Sequence, residues 1–227
     1  MPIQGPRIAL IHATPLAMAP VAEAFARLWP QAGLMNLLDD CLSADLARDG
    51  HLTAAMNARM LSLARYARTQ GADGILFTCS AFGPAIDAAA AALEVPVLKP
   101  NAAMFEEALA LCAQIGPGSR AGLLTTFAPS AAPMRAEFEA LARQRGQATA
   151  LDADCADGAM ALLQAGQADA HDARVCEIGA RSPAQVLMLG QFSMARAQAA
   201  VAQRTGKPVL TSPASAVRKL QGLLTPA

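Results

Sequence analysis

The chain has 227 residues, 54% of them hydrophobic and 16% charged, and its 18 Lys and Arg balance its 18 Asp and Glu. That is ample material for a core and too apolar for a disordered chain. Zero net charge, with no basic stretch interleaved with aromatics, excludes the positive footprint that nucleic-acid binding needs.

The opening stretch PRIALIHATPLAMAPVAEA imitates a signal peptide, but His12, Thr14, Pro15 and Pro20 interrupt its apolar run. No segment reaches the roughly 18 apolar residues of a membrane span. No membrane partner is expected, and the expected location is the cytoplasm. Arg7 to Thr14, RIALIHAT, reads as a short buried strand running into a hydroxyl residue. A 3.6-residue periodicity predicts helices over Met18 to Leu28 and Leu52 to Gln70. From Ile75, ILFTCSAFG is an apolar strand ending in small and polar residues, with Cys79 where a helix opens. PVLKPNAA from Pro96 is a further strand end, followed by a helix over Ala102 to Gln114.

The same series then recurs. RAGLLTTF at Arg120 to Phe127 repeats RIALIHAT 113 residues later, LMLGQFSMA from Leu187 repeats ILFTCSAFG 112 residues later, and PVLTSPAS from Pro208 repeats PVLKPNAA at the same spacing of 112. Helical patterns follow over Pro133 to Arg145, Ala195 to Thr205 and Ser215 to Leu223. Three matches in one order indicate a duplicated architecture. The expected fold class is α/β, with two pseudo-symmetric Rossmann-like halves, each a mostly parallel sheet flanked by helices. The first half is expected over residues 1–100 plus 211–227 and the second over 101–210.

Ligands of open α/β sheets bind beyond the carboxyl ends of the strands. His12 to Pro15, Thr78 to Gly83, Lys99 to Asn101, Thr125 to Phe127, Gln191 to Ser193 and Thr211 to Pro213 are therefore expected to converge in a cleft between the halves. Five cysteines, at 41, 79, 112, 155 and 176, are an odd number with no CxxC pair. That argues against a disulfide framework and a zinc site, and for free thiols in a reducing compartment.

Cys79 alone stands at a strand end that opens a helix, where the dipole and backbone N–H groups are expected to lower its pKa. The position leaves two roles open, an activated thiol or a small buried side chain. Thr14, Ser80, Thr125, Thr126, Ser193, Thr211 and Ser212 place hydroxyls at the matching ends. There, with backbone N–H groups such as that of Ala81, they can hold a carboxylate and enolate-like oxygens, or cap helices. His12 is either an acid, base or donor facing the cleft or a structural histidine, and His171 in DAHDA is a weaker candidate. Phe82, Phe127, Phe192 and Met194 would make part of the cleft apolar.

Three motifs fail on context. GPGSRAG precedes its strand, where a dinucleotide fingerprint follows one, and reads as a turn. DADCAD lacks the glycine and terminal glutamate of a calcium loop. No Walker motif and no paired metal-ligand histidines are present, so no metal site is expected.

The duplicated halves, with FTCSAFG, LGQFSMA and PVLTSPASAV, resemble the aspartate/glutamate/hydantoin racemase superfamily, which also includes arylmalonate decarboxylase and maleate isomerase. The resemblance spans essentially the whole chain and implies an enzyme without cofactor. Family members place one cysteine from each half on opposite faces of a carbon next to a carboxyl or carbonyl group. It implies a small carboxylate substrate, and related folds often form homodimers.

Cys79 matches the first family cysteine, whereas the second position, in a pattern like LGCxxM, is Gln191. An amide has no usable proton affinity near neutral pH and cannot replace a thiol. Three readings stand: an isomerase or racemase in which His12 or a water serves the second face, a single-cysteine decarboxylase, and a non-catalytic carboxylate-binding protein. Hydrolysis with Cys79 as nucleophile lacks a Cys/His/Asx set and ranks last.

Overall fold

The computed structural model describes residues 5–225; residues 1–4 and 226–227, the outer ends of the expected first half, lie outside the described residues. The strands and helices that the apolar runs predict form, with further elements between them. The first series is β1 (Arg7–His12), α1 (Met18–Leu28), β2 (Gly33–Leu38), α2 (Cys41–Asp49), α3 (Ala54–Thr69), β3 (Gly74–Phe77), α4 (Gly83–Ala92) and β4 (Val97–Leu98). The second is α5 (Ala102–Ile115), β5 (Arg120–Thr125), α6 (Ala131–Gln144), β6 (Ala150–Cys155), α7 (Ala159–Gln164), α8 (Ala168–Arg181), β7 (Val186–Leu189), α9 (Gln198–Thr205), β8 (Val209–Thr211) and α10 (Ser212–Leu224).

The strands form two four-stranded sheets, ordered β2-β1-β3-β4 and β6-β5-β7-β8, and every pairing is parallel. Contacts divide the chain into one unit up to Pro100 that also takes the chain from Ala216, and a second unit Asn101–Ser215. In the first unit, Leu220 and Leu224 of α10 lie 3.2 and 3.1 Å from where a Cβ on Gly74 would stand.

The duplication extends to individual backbone hydrogen bonds. Thr78 N–H donates to Ile11 C=O (3.0 Å) as Gly190 N–H does to Leu124 (2.9 Å), and Ile75 to Pro96 (2.8 Å) as Leu187 to Pro208 (2.9 Å). At the strand starts, Arg7 N–H is accepted by the Asp73 carboxylate and Arg120 N–H by the Gln185 amide, both at 2.8 Å. One backbone plan therefore carries two different sets of side chains.

The middle strands are buried because helices cover both faces: β3 and β7 are buried at every residue, and β1 at all but Arg7. Ile11, Met60, Phe77 and Ile86 belong to the first unit's core. In the second, Phe105 and Phe138 meet edge to face, with ring centroids 5.7 Å apart, an arrangement that adds to burial.

Several predicted boundaries shift. The segment expected as a helix from Ala195 is a 3-10 turn up to Ala197 before α9 begins. The last helix opens at Ser212 rather than Ser215, since Pro213 falls in its first turn, where the missing N–H costs nothing. GPGS is a turn, with positive φ at Gly116 and Gly118, and DADC ends β6. Among the described residues, no helix is long and apolar enough to cross a membrane.

Candidate functional site

In the first unit, β1 and β3 are neighbours in register, Ile11 beside Phe77. Their carboxyl ends therefore bring His12 and Thr14 to the side of Cys79, Ser80 and Ala81. Thr14 is half-buried and caps the following turn, its Oγ1 accepting from Leu16 N–H at 3.4 Å. Ser80 is half-buried and Ala81 exposed.

Cys79 precedes a three-residue 3-10 turn, Ser80–Phe82, and α4 starts only at Gly83. The thiol thus stands one turn short of the α-helix whose dipole was expected to activate it. Burial pushes its pKa up, against a weaker lowering by a backbone hydrogen bond from Ala81. The expected depression is corrected: burial holds the half-buried Cys79 thiol above its ordinary pKa, which favours the protonated form at neutral pH.

His12 is fully buried. Its Nε2 lies 3.0 Å from Asn36 Oδ1 and its Nδ1 2.9 Å from Thr78 Oγ1. With Oδ1 as acceptor, Nε2 carries the proton and Nδ1 accepts from the Thr78 hydroxyl. Burial pushes the His12 pKa down, partly offset by the Asn36 hydrogen bond, so the ring is neutral and both nitrogens are engaged. His171, the weaker candidate, is buried in α8 with Nδ1 2.7 Å from its neighbour Asp172.

In the second unit, β5 lies between β6 and β7, which brings Thr125, Thr126 and Phe127 beside Gln191, Phe192 and Ser193. Gln191 Oε1 accepts from Thr126 N–H at 3.0 Å and lies 3.4 Å from Thr126 Oγ1. Its Nε2 donates to Ser130 Oγ at 2.9 Å, and Ser130 Oγ in turn donates to Phe127 C=O at 2.7 Å. The amide is fastened at both ends. Thr125 is buried and donates to Asp154 C=O at 3.4 Å.

Phe82, Phe192 and Met194 are buried, while Phe127 is 53% exposed; of these four, Phe127 alone presents an open apolar face. Ser193 and Thr211 are buried. Ser212 is fully buried and donates to Asn101 Oδ1 at 2.6 Å, and Asn101 donates onward to Met134 Sδ at 3.0 Å. That pair ties the start of α5 to the start of α10.

Sequence reasoning passed over Asn36 and Ser130. Asn36 had a signal, a lone amide inside the apolar strand GLMNLL; Ser130 had none, since only the tertiary fold brings it to Gln191. Among the described residues, no group of three or more His, Cys, Asp or Glu is placed to hold a metal ion.

Solved structures share this architecture. Allantoin racemase from Klebsiella pneumoniae superposes with a TM-score of 0.71 at 20% identity, over 96% of this chain and 87% of that one. A glutamate racemase from Bacillus anthracis gives 0.69 at 12% identity, over 96% and 81%. Unliganded arylmalonate decarboxylase gives 0.59 at 18%, over 98% and 94%. No curated protein sequence matches significantly. The duplicated parallel sheets agree with the sequence's own match, which runs over residues 14–220, and the chain belongs to the Asp/Glu/Hydantoin racemase family.

Proposed function

We propose that the chain is a cofactor-independent enzyme acting at the carbon next to a carboxylate or carbonyl of a small substrate, with Cys79 as its one proton carrier. The family and its structural neighbours include racemases and a decarboxylase. Between these chemistries, the reading favours one-sided protonation of the decarboxylase kind. The observation that carries it is the fastening of Gln191, the residue that the repeat sets against Cys79, to Thr126 and Ser130. His12 offers no substitute, since both its nitrogens are engaged within the first unit.

A thiol whose pKa is raised fits the role of donor. In such a step the bond from the α-carbon to one carboxylate breaks, carbon dioxide leaves, and the electron pair stays behind as an enolate-like carbanion. Cys79 Sγ–H then gives its proton to that carbon, and the thiolate is reprotonated from solvent. Hydroxyls and backbone N–H groups at the strand ends, Thr14 and Ser80 among them, are suited to hold the enolate oxygens, each donor being worth about 3–4 kcal/mol.

Incubating disubstituted malonates, amino acids, allantoin and hydantoins in D₂O tests the reading. The expected result is carbon dioxide release, one deuterium at the α-carbon, a single product enantiomer, and loss of at least about 10³-fold in rate for Cys79→Ala. Interconversion of both enantiomers of a monocarboxylate by solvent exchange would overturn it in favour of racemisation. Binding of these carboxylates without turnover, undisturbed in Cys79→Ala, would instead identify a binding protein.

A further inference from the structure

The two units serve as controls for each other, because the same backbone plan is built twice with different side chains. By the repeat spacing, His12 corresponds to Thr125 and Thr78 to Gly190. Asn36 corresponds to Ala153, since Asn36 stands in register with Leu10 and Ala153 with Leu123, the equivalent residue. In the second unit the space of a side chain at 190 is already filled: a Cβ there would lie 3.1 Å from Leu123 Cδ1 and 3.2 Å from both Met134 Cε and Leu124 O.

The architecture is thus completed with Thr, Ala and Gly where the first unit uses His, Asn and Thr. Burying a histidine and a hydroxyl has a desolvation cost that their mutual hydrogen bonds only balance. The fold does not require that expense, since the second unit forms without it. The polar triad occurs in the unit that carries the thiol, and its last member, Thr78, is the residue before Cys79.

We infer that His12 is a positioning residue for Cys79, an inference that rests on the proposed role of that thiol. Three strands meet in the clamp. Asn36 on β2 holds Nε2–H and so sets the ring's tautomer and tilt, Nδ1 takes the hydrogen of Thr78 Oγ1, and Thr78 N–H is held by Ile11 C=O on β1. The corner from which the Cys79 side chain departs is thereby fixed at its backbone and at the side chain before it. Such control of direction matters because misplacement by about 1 Å can cost on the order of 10²-fold in a proton-transfer step. His12 exchanges no proton with substrate in this arrangement.

Thr78→Val is the test, since it keeps the shape and deletes the hydroxyl, with Thr78→Ser as the rescue. Iodoacetamide labelling of Cys79, read by peptide mass spectrometry against exposed Cys41 in the same molecule, needs no substrate. A released corner turns the half-buried Sγ toward water, so Thr78→Val is expected to label about tenfold faster and Thr78→Ser within about twofold of the wild type. In ¹⁵N spectra, the unprotonated Nδ1 of His12 is expected to shift in Thr78→Val and to stay in place in Thr78→Ser. An unchanged or slower labelling rate in Thr78→Val, or a His12 ring that does not respond, overturns the clamp. Because this readout is independent of turnover, failure of the clamp and failure of the Cys79 chemistry appear in separate assays.

Discussion

At the scale of single residues, Gln191 and His12 are held by the same device, a side chain fastened at both of its polar ends. Removing one partner of a buried hydrogen bond leaves the other's desolvation unpaid. Gln191→Ala strips Thr126 N–H of its acceptor and Ser130 of a donor, and is expected to destabilise the protein by about 1–3 kcal/mol, measurable by urea unfolding. For His12, burial holds the folded pKa below the ordinary 6.5. The unfolded chain therefore takes up the proton first as pH falls. The stabilisation is intact above pH 6.5, is lost as pH drops below it, and levels off beneath the folded value. Thermal midpoints from pH 7.5 down to 5 should fall more steeply in the wild type than in a His12→Asn variant; parallel curves would contradict a neutral buried ring.

At the scale of elements, packing around β5 and β7 gives the sharpest expectations. Gly190→Ala forces a methyl to 3.1–3.2 Å from Leu123, Leu124 and Met134, and overpacking of this kind costs about 1–3 kcal/mol. Phe138→Ala removes one partner of the edge-to-face pair with Phe105 and should cost about 3–5 kcal/mol. Both are read from denaturant midpoints. The elements also differ in how plainly the chain announces them. β1, β3, β5 and β7 were legible because burial on both faces demands unbroken apolar runs such as IALI and LMLG. β2 and β6 were not, because an edge strand has one partner: Asn36 interrupts GLMNLL and two aspartates interrupt ALDADC, with only Gly33 and Leu151 buried. Helix α8 escaped for a related reason, since ADAHDARVCEIGAR buries just His171, Val175, Ile178 and Gly179.

At the scale of the whole molecule, equal numbers of acidic and basic residues and an isoelectric point near 6.8 leave little electrostatic repulsion between copies at neutral pH. Polyethylene glycol precipitation should find the lowest solubility close to pH 6.8; a minimum below pH 5 or above pH 8 would contradict the charge balance. The sequence by itself determined the duplication, the parallel α/β class and the family, because repeat spacing and fully buried strands leave a direct imprint on residue order. It also singled out Cys79 and the amide at Gln191. Only the tertiary structure decided what state these groups are in. Burial raises the thiol's pKa against the hydrogen bond from Ala81, burial keeps His12 neutral against the opposing hydrogen bond from Asn36, and Gln191 is fastened because Ser130 lies across from it. Protonation state and side-chain direction depend on neighbours distant in sequence, and residue order alone does not record them.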